Sequence, residues 1–159
     1  MKTKFIAIGA LCLALAPAAL AQTEAKTECK MTLPQDLVWG EPKDIPAGAK
    51  GTVVEGDPSK AEFFTVRAKF PAGYKIAPHT HPVAEHITVL SGNFNMGMGE
   101  KFDKDATKPM PAGTYFSMPA GMAHFVYTTE ETEIQLSAIG PFGITYINPE
   151  DDPRNNTKK

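Results

Sequence analysis

The sequence predicts an all-β domain, a sandwich or barrel of short strands, and three observations carry this prediction. The 159 residues include 13 Gly and 14 Pro, a composition typical of frequent turns rather than long helices. Several short stretches alternate hydrophobic and polar residues with period two, which is the pattern of half-buried strands. An apolar residue followed by Pro-Ala-Gly, a reverse-turn signature, recurs at residues 45–48, 70–73, 110–113 and 118–121.

The N-terminal 21 residues are predicted to be a secretory signal peptide. Lys2 and Lys4 precede an apolar run over residues 5–20, and a small-x-small cleavage site lies at residues 19–21. A membrane anchor is the alternative, but a glycine and a proline interrupt the run. We therefore expect an exported, most simply periplasmic, protein without a stable membrane anchor.

After the cleavage site, the chain is predicted to form a single domain. A flexible lead-in over residues 22–33 precedes a barrel domain over residues 34–149, and the polar residues 150–159 are expected to form a frayed tail. The strand pattern is expected to begin at about Asp36.

Charge and cysteine content limit the partners. With 16 Lys and Arg against 18 Asp and Glu, the formal net charge is −2, so no positive field is available to hold nucleic acid. Cys12 leaves with the signal peptide, and Cys29 alone cannot form an internal disulfide. Cys29 is interpreted as incidental, with a link between two chains as the alternative.

Two stretches define strand faces. Residues 62–70 are predicted to place one set of side chains inward, namely Phe64, Val66, Ala68 and Phe70, and another set outward, namely Thr65, Arg67 and Lys69. Residues 132–138 alternate in the same way and are predicted to point inward at Ile134, Leu136 and Ala138.

The positions of the four histidines are the most informative feature. His79 and His81 form an i, i+2 pair, which on a strand projects from one face with the two imidazoles close enough to share an ion. After a turn at Pro82, Glu85 begins a strand and shares a face with two apolar residues, where an unpaired carboxylate is costly. His124 lies on a later apolar strand, and a histidine there is more often a core residue than a ligand.

These residues resemble the cupin family. The first cupin motif is matched by Gly73, His79, His81, Glu85 and Gly92. The second motif is matched by Gly113, Pro119, Gly121 and His124, with Thr128 at the position where the family has Asn. The segment from Gly140 to Pro149 is also similar to the end of a group of exported single-domain bacterial cupins.

The resemblance implies a small antiparallel jelly-roll barrel that binds one metal ion through His79, His81, Glu85 and His124. Such ligands suit Mn, Fe, Co, Ni, Cu or Zn, and do not choose among them. The metal would bind and activate a small oxygen-bearing molecule, as in oxygenases or isomerases. In some related cupins the matching Glu also takes a proton, which makes Glu85 the candidate catalytic residue.

Other interpretations of the chain remain open. A non-catalytic module could use the same site to hold a metal or metabolite, and a tetrahedral zinc site could be purely structural. Met96 and Met98 point to one face of a strand and could offer thioether ligands for copper handling, although methionine more often fills core volume. His86 is expected to face solvent or an interface. Cupins commonly dimerise, so the resemblance leaves a homodimer open.

Overall fold

The chain folds into ten β-strands, as described for residues 29–156 by a computed structural model. The strands are β1 (Lys50–Glu55), β2 (Phe63–Phe70), β3 (Lys75–Thr80), β4 (Glu85–Ser91), β5 (Asn93–Met98), β6 (Lys108–Pro111), β7 (Tyr115–Met118), β8 (His124–Thr128), β9 (Thr132–Ile139) and β10 (Thr145–Tyr146). The helical segments within these residues are short 3₁₀-helices, at Pro34–Asp36, Lys104–Ala106, Pro149–Asp151 and Pro153–Asn156. None of the helices in the described part of the chain is long and apolar enough to cross a membrane.

The strands form two five-stranded antiparallel sheets. The strand order is β1-β2-β9-β4-β7 in the first sheet and β10-β3-β8-β5-β6 in the second sheet. Neighbouring strands in each sheet are mostly distant in sequence, as in β2 with β9 and β3 with β8. This arrangement confirms the predicted all-β fold and the antiparallel jelly-roll barrel that the family resemblance implied.

The hydrophobic core lies on the inner faces of the two sheets. Along β9 the side chains of Ile134, Leu136 and Ala138 are buried, and the residues between them are partly exposed, as the alternating pattern predicted. On β2, Phe64 and Phe70 are buried as predicted, whereas Val66 and Ala68 are only partly buried. The strand faces were therefore predicted correctly, because each sheet buries one face.

Thr65 is an exception to the predicted burial. It was predicted to lie on the outward face of the strand, yet only 7% of it is exposed. Its hydroxyl is within 2.8 Å of the Ser137 hydroxyl on the adjacent β9, so the two residues satisfy each other in a hydrogen bond across the strands. An outward position in the middle of a sheet can thus be buried when its polar group has a partner.

The ends of the domain also differ from expectation. Regular strand structure begins at Lys50 rather than near Asp36, because the prolines and glycines of the intervening segment interrupt it, and an isolated bridge joins Gly40 to Gly51. The tail was expected to be frayed, but up to Asn156 it forms two 3₁₀-helices, in which Arg154 donates to Asp152 and to the carbonyl of Ile144. The predicted signal peptide lies outside the described residues.

Candidate metal centre

Four candidate site residues come together from three strands of both sheets. His79 lies on β3 directly opposite His124, the first residue of β8, and His81 follows the end of β3. Glu85 is the first residue of β4, which belongs to the other sheet. The chain turns between His81 and Glu85, as Pro82 predicted, so the spacing of the motif brings residues of both sheets to one point.

The ring nitrogens of the three histidines converge. One nitrogen from each of His79, His81 and His124 lies within 4.8 Å of the others. The Glu85 carboxylate lies beside this group, with Oε1 at 3.5 Å from Nε2 of His81 and Oε2 at 3.7 Å from Nε2 of His124. Three buried histidines in this arrangement could hold a metal ion.

Backbone carbonyls fix the orientation of each imidazole. Nδ1 of His79 lies 2.7 Å from the carbonyl of Ala77, and Nδ1 of His124 lies 3.0 Å from the carbonyl of Met122. Nδ1 of His81 lies 2.7 Å from the carbonyl of Gly143. Because a carbonyl only accepts hydrogen bonds, each Nδ1 carries the proton and donates it, which leaves the lone pair of every Nε2 free for a cation.

Burial determines the charge of these groups. The four residues are between 2% and 8% exposed. Burial lowers the pKa of His79 to about 3, with a further contribution from the neighbouring His124, and it lowers the pKa of His81 to about 4. Burial also lowers the pKa of His124 and raises the pKa of Glu85 to about 8. The imidazoles are therefore neutral at physiological pH, which is the form that binds metals.

The four side chains line one part of a large cavity inside the barrel. Its volume is about 580 Å³. Apart from the histidines and Glu85, the lining from the two sheets is mostly apolar and includes Phe64, Phe70, Phe94, Ile134, Leu136 and Ile144. The lining also includes four polar or charged residues outside the cluster, namely Glu41, Asp44, Thr52 and Arg67. A molecule in this cavity would therefore contact the histidine cluster, hydrophobic side chains and a few further polar groups.

Two contributors to the centre were not predicted from the sequence. The Phe142 ring stacks on His81 with centroids 4.7 Å apart and an interplanar angle of 16°, and the next residue, Gly143, supplies the acceptor for Nδ1 of His81. Both lie in the segment before β10, 61 and 62 positions after His81, so spacing near the motif does not reveal them. The similarity of this segment to other cupins was the available signal.

His86 is directed away from the centre, as expected. It is exposed on the outer face of β4, and its Nδ1 lies 2.9 Å from the hydroxyl of Tyr115. Its neighbours Glu85 and Ile87 are buried, which confirms the predicted alternation along this strand. His86 therefore offers a matched histidine outside the cluster for experiments.

The ChrR cupin-like domain family matches residues 31–143 of the chain. The chain belongs to this cupin family. A germin-like protein of Oryza sativa subsp. japonica, germin-like protein 9-3, is 33% identical over 73 residues, which is 45% of this cupin and 34% of the rice protein. The matched part of the chain thus spans about a third of the length of its curated relative.

Solved structures show the same cupin fold. The polyketide cyclase RemF from Streptomyces resistomycificus has a TM-score of 0.65 and 18% identity, covering 83% of this cupin and 94% of the cyclase. The salicylate 1,2-dioxygenase of Pseudoaminobacter salicylatoxidans, in its gentisate adducts, has a TM-score of 0.52 and 12% identity, covering 65% of this cupin and 30% of the dioxygenase. At these identities the likeness concerns the fold.

Proposed function

We propose that this protein is an exported cupin that binds one divalent transition metal through His79, His81, Glu85 and His124. We further propose that it is a metal-dependent enzyme of the oxygenase or isomerase type. The observation that carries the proposal is the convergence of one ring nitrogen from each of three histidines, whose Nδ1 atoms are held by backbone acceptors, beside a buried carboxylate. A bound ion would supply Lewis-acid polarisation of a substrate oxygen.

The donor set fits a transition metal chemically. Neutral imidazoles and one carboxylate are donors for Mn, Fe, Co, Ni, Cu and Zn, and backbone carbonyls orient the three imidazoles. A cation also compensates the cost of burying the Glu85 carboxylate. Four protein ligands leave further positions free on a six-coordinate ion, which is why an open site is proposed rather than a closed tetrahedral one.

The cavity indicates what kind of molecule is bound. With about 580 Å³ and a mostly apolar lining, it suits a small, largely hydrophobic molecule that carries an oxygen donor toward the histidine cluster. The apolar walls exclude bulk water from the reacting groups. Glu85 is proposed as the catalytic residue, with a carboxylate oxygen accepting a proton from the substrate.

Export to the periplasm belongs to the same proposal. The charged N-terminus, the apolar run and the small-x-small site of the first 21 residues support it. Cleavage after Ala21 would leave Gln22 as the first residue, which the intact mass of protein recovered from a periplasmic fraction reports directly.

Metal content tests the centre. We expect about one metal ion per chain by inductively coupled plasma mass spectrometry, and a loss of about tenfold or more in a His79→Ala/His81→Ala double variant. The matched control is His86→Ala, which removes an exposed histidine and should keep the full metal content. A wild-type protein with no more metal than the double variant would overturn the proposal.

Azide binding separates an open centre from a structural one. In the Co(II)-loaded protein we expect azide to change the visible absorption, because the four proposed ligands line the cavity and an ion held by them would be open to a small molecule there. An unchanged spectrum at saturating azide would contradict the enzymatic part of the proposal and favour a closed, structural site.

A further inference from the structure

The inner face of β5 ends in an exposed methionine beside the histidine cluster. Phe94 and Met96 point into the core, with 3% and 8% of each residue exposed. Because side chains alternate along a strand, Met98 shares their face, yet 52% of it is exposed. Met98 therefore lies at the rim of the barrel rather than in the packed core.

Strand register places Met98 next to a proposed ligand. In the pairing of β5 with β8, Met98 is directly opposite His124. Side chains of directly opposite residues lie on the same face, with Cβ atoms about 4.5–5.5 Å apart. A methionine side chain is long and flexible enough to cross this distance toward the ion that His124 is proposed to bind.

A thioether in this position could bind a metal ion, which an aliphatic side chain could not do. An exposed methionine contributes little to the core, whereas its sulfur is a soft ligand that prefers Cu(I) to the harder divalent ions. Met118 also lies opposite a proposed ligand, Glu85, but it is only 3% exposed and belongs to the hydrophobic core. Of the two methionines that lie opposite a proposed ligand, Met98 is therefore the accessible one.

We propose that the centre also takes Cu(I), with the Met98 thioether as a fourth ligand beside the three imidazoles of the histidine cluster. This inference rests on the proposed metal site. A soft ion prefers sulfur to a carboxylate oxygen, so the Met98 sulfur takes the place of the Glu85 carboxylate when Cu(I) is bound. Binding involves no change of oxidation state, because copper is supplied and held as Cu(I).

The test is a competition with a chromogenic Cu(I) chelator under anaerobic conditions. All proteins carry Cys29→Ser, because the exposed Cys29 thiol would itself bind Cu(I). We compare Met98→Leu with Met96→Leu, a methionine on the same face two residues deeper, opposite Val126. Leucine keeps the volume and hydrophobicity of methionine and removes the sulfur.

We expect Met98→Leu to weaken Cu(I) binding by about tenfold or more and to leave Zn(II) binding within about twofold of wild type. We expect Met96→Leu to change the affinity for neither ion. Copper X-ray absorption should show sulfur scattering that disappears in Met98→Leu. Unchanged Cu(I) affinity in Met98→Leu, or an equal loss in Met96→Leu, would overturn the inference and leave the proposed metal site intact. Loss of the metal site itself would appear separately, as failure of the wild type to bind Zn(II).

Discussion

At the scale of single residues, the buried carboxyl of Glu85 carries a large free-energy cost when it is ionised. It is 3% exposed on a strand face shared with Ile87 and Val89. Burial raises its pKa to about 8, and the two nearby imidazoles, whose own pKa values are lowered, supply no positive charge. Without a metal ion, the folded protein holds Glu85 protonated over most of the physiological range.

This has a measurable effect on the metal-free protein. The pKa of Glu85 is about 8 in the folded state and 4.5 in the unfolded state, so the folded state binds more protons between these values. Stability must then fall as pH rises through this window. Glu85→Gln cannot titrate, so at pH 8.5 it should be more stable than wild type by on the order of 3 kcal/mol, and at pH 4 nearly equal.

Urea unfolding of chelator-treated protein at the two pH values measures the difference. The contributions of His79, His81 and His124 are common to both proteins and cancel. Glu100→Gln, at an exposed position, is the control and should match wild type at both pH values. Equal stability of Glu85→Gln and wild type at pH 8.5 would contradict the expected cost of the buried carboxylate.

Residue positions in the centre were predictable to the extent that they depend on local spacing. The i, i+2 rule placed His79 and His81 on one face, and alternation along β4 placed Glu85 inside and His86 outside. The acceptors of the Nδ1 protons were not predictable, because a backbone carbonyl carries no signature of its own. Gly143 is the clearest case, since it meets His81 only in the folded barrel.

At the scale of elements, Thr128 connects the end of β8 to the turn between β2 and β3. Its hydroxyl donates to the carbonyl of Pro71 at 2.6 Å and accepts from the amide of Tyr74 at 3.2 Å. Its backbone carbonyl accepts from the amide of Gly73 at 2.7 Å. The residue is fully buried, and it occupies the position where the second cupin motif has Asn. The departure from the motif therefore retains a polar side chain at a structural position outside the histidine cluster.

Removing this hydroxyl should destabilise the fold. Thr128→Val keeps the shape but removes a buried hydroxyl that bonds both the Pro71 carbonyl and the Tyr74 amide, and we expect a loss of about 2 kcal/mol in the free energy of unfolding. The matched control is the exposed neighbour Thr129→Val, expected to stay within about 0.5 kcal/mol of wild type. Chemical denaturation measures both variants, and equal effects would show that the hydroxyl contributes nothing specific.

Prediction of the elements succeeded where alternation was long and failed where it was short. The eight residues of β2 and of β9 were recognisable because one face of each enters the core. The segment between Asp36 and Lys50 contains two prolines and two glycines before the first strand, and its course depends on packing against the barrel. The folded tail before Asn156 depends on Arg154 reaching the carbonyl of Ile144, which no local pattern encodes.

At the scale of the whole molecule, the proposed ligands connect the two sheets. His79 and His124 belong to strands of one sheet, whereas Glu85 belongs to the other sheet. The cavity of about 580 Å³ is lined by residues of both sheets. An ion bound by all four residues would add a bond between the sheets beside this cavity.

Metal removal should therefore destabilise the whole barrel. An ion present at about a hundredfold excess over its dissociation constant stabilises the folded state by about 2.7 kcal/mol, if the unfolded chain does not bind it. Scanning calorimetry should show a lower unfolding temperature after chelation and recovery on adding metal. The His79→Ala/His81→Ala variant should show no such shift. A chelator that leaves the wild-type unfolding temperature unchanged would contradict this role.

The contact between His81 and the segment around Gly143 also bears on how such a centre could be transferred to another protein. The two motifs, from Gly73 to Thr128, contain all four proposed ligand side chains. They do not contain the carbonyl that orients the His81 ring, nor Phe142, which covers one side of it. A designer who grafted only the motifs onto a new scaffold would transplant the donors but leave the ring of His81 free to rotate. The shortest segment that transfers the centre with an oriented His81 ring therefore extends to at least Gly143.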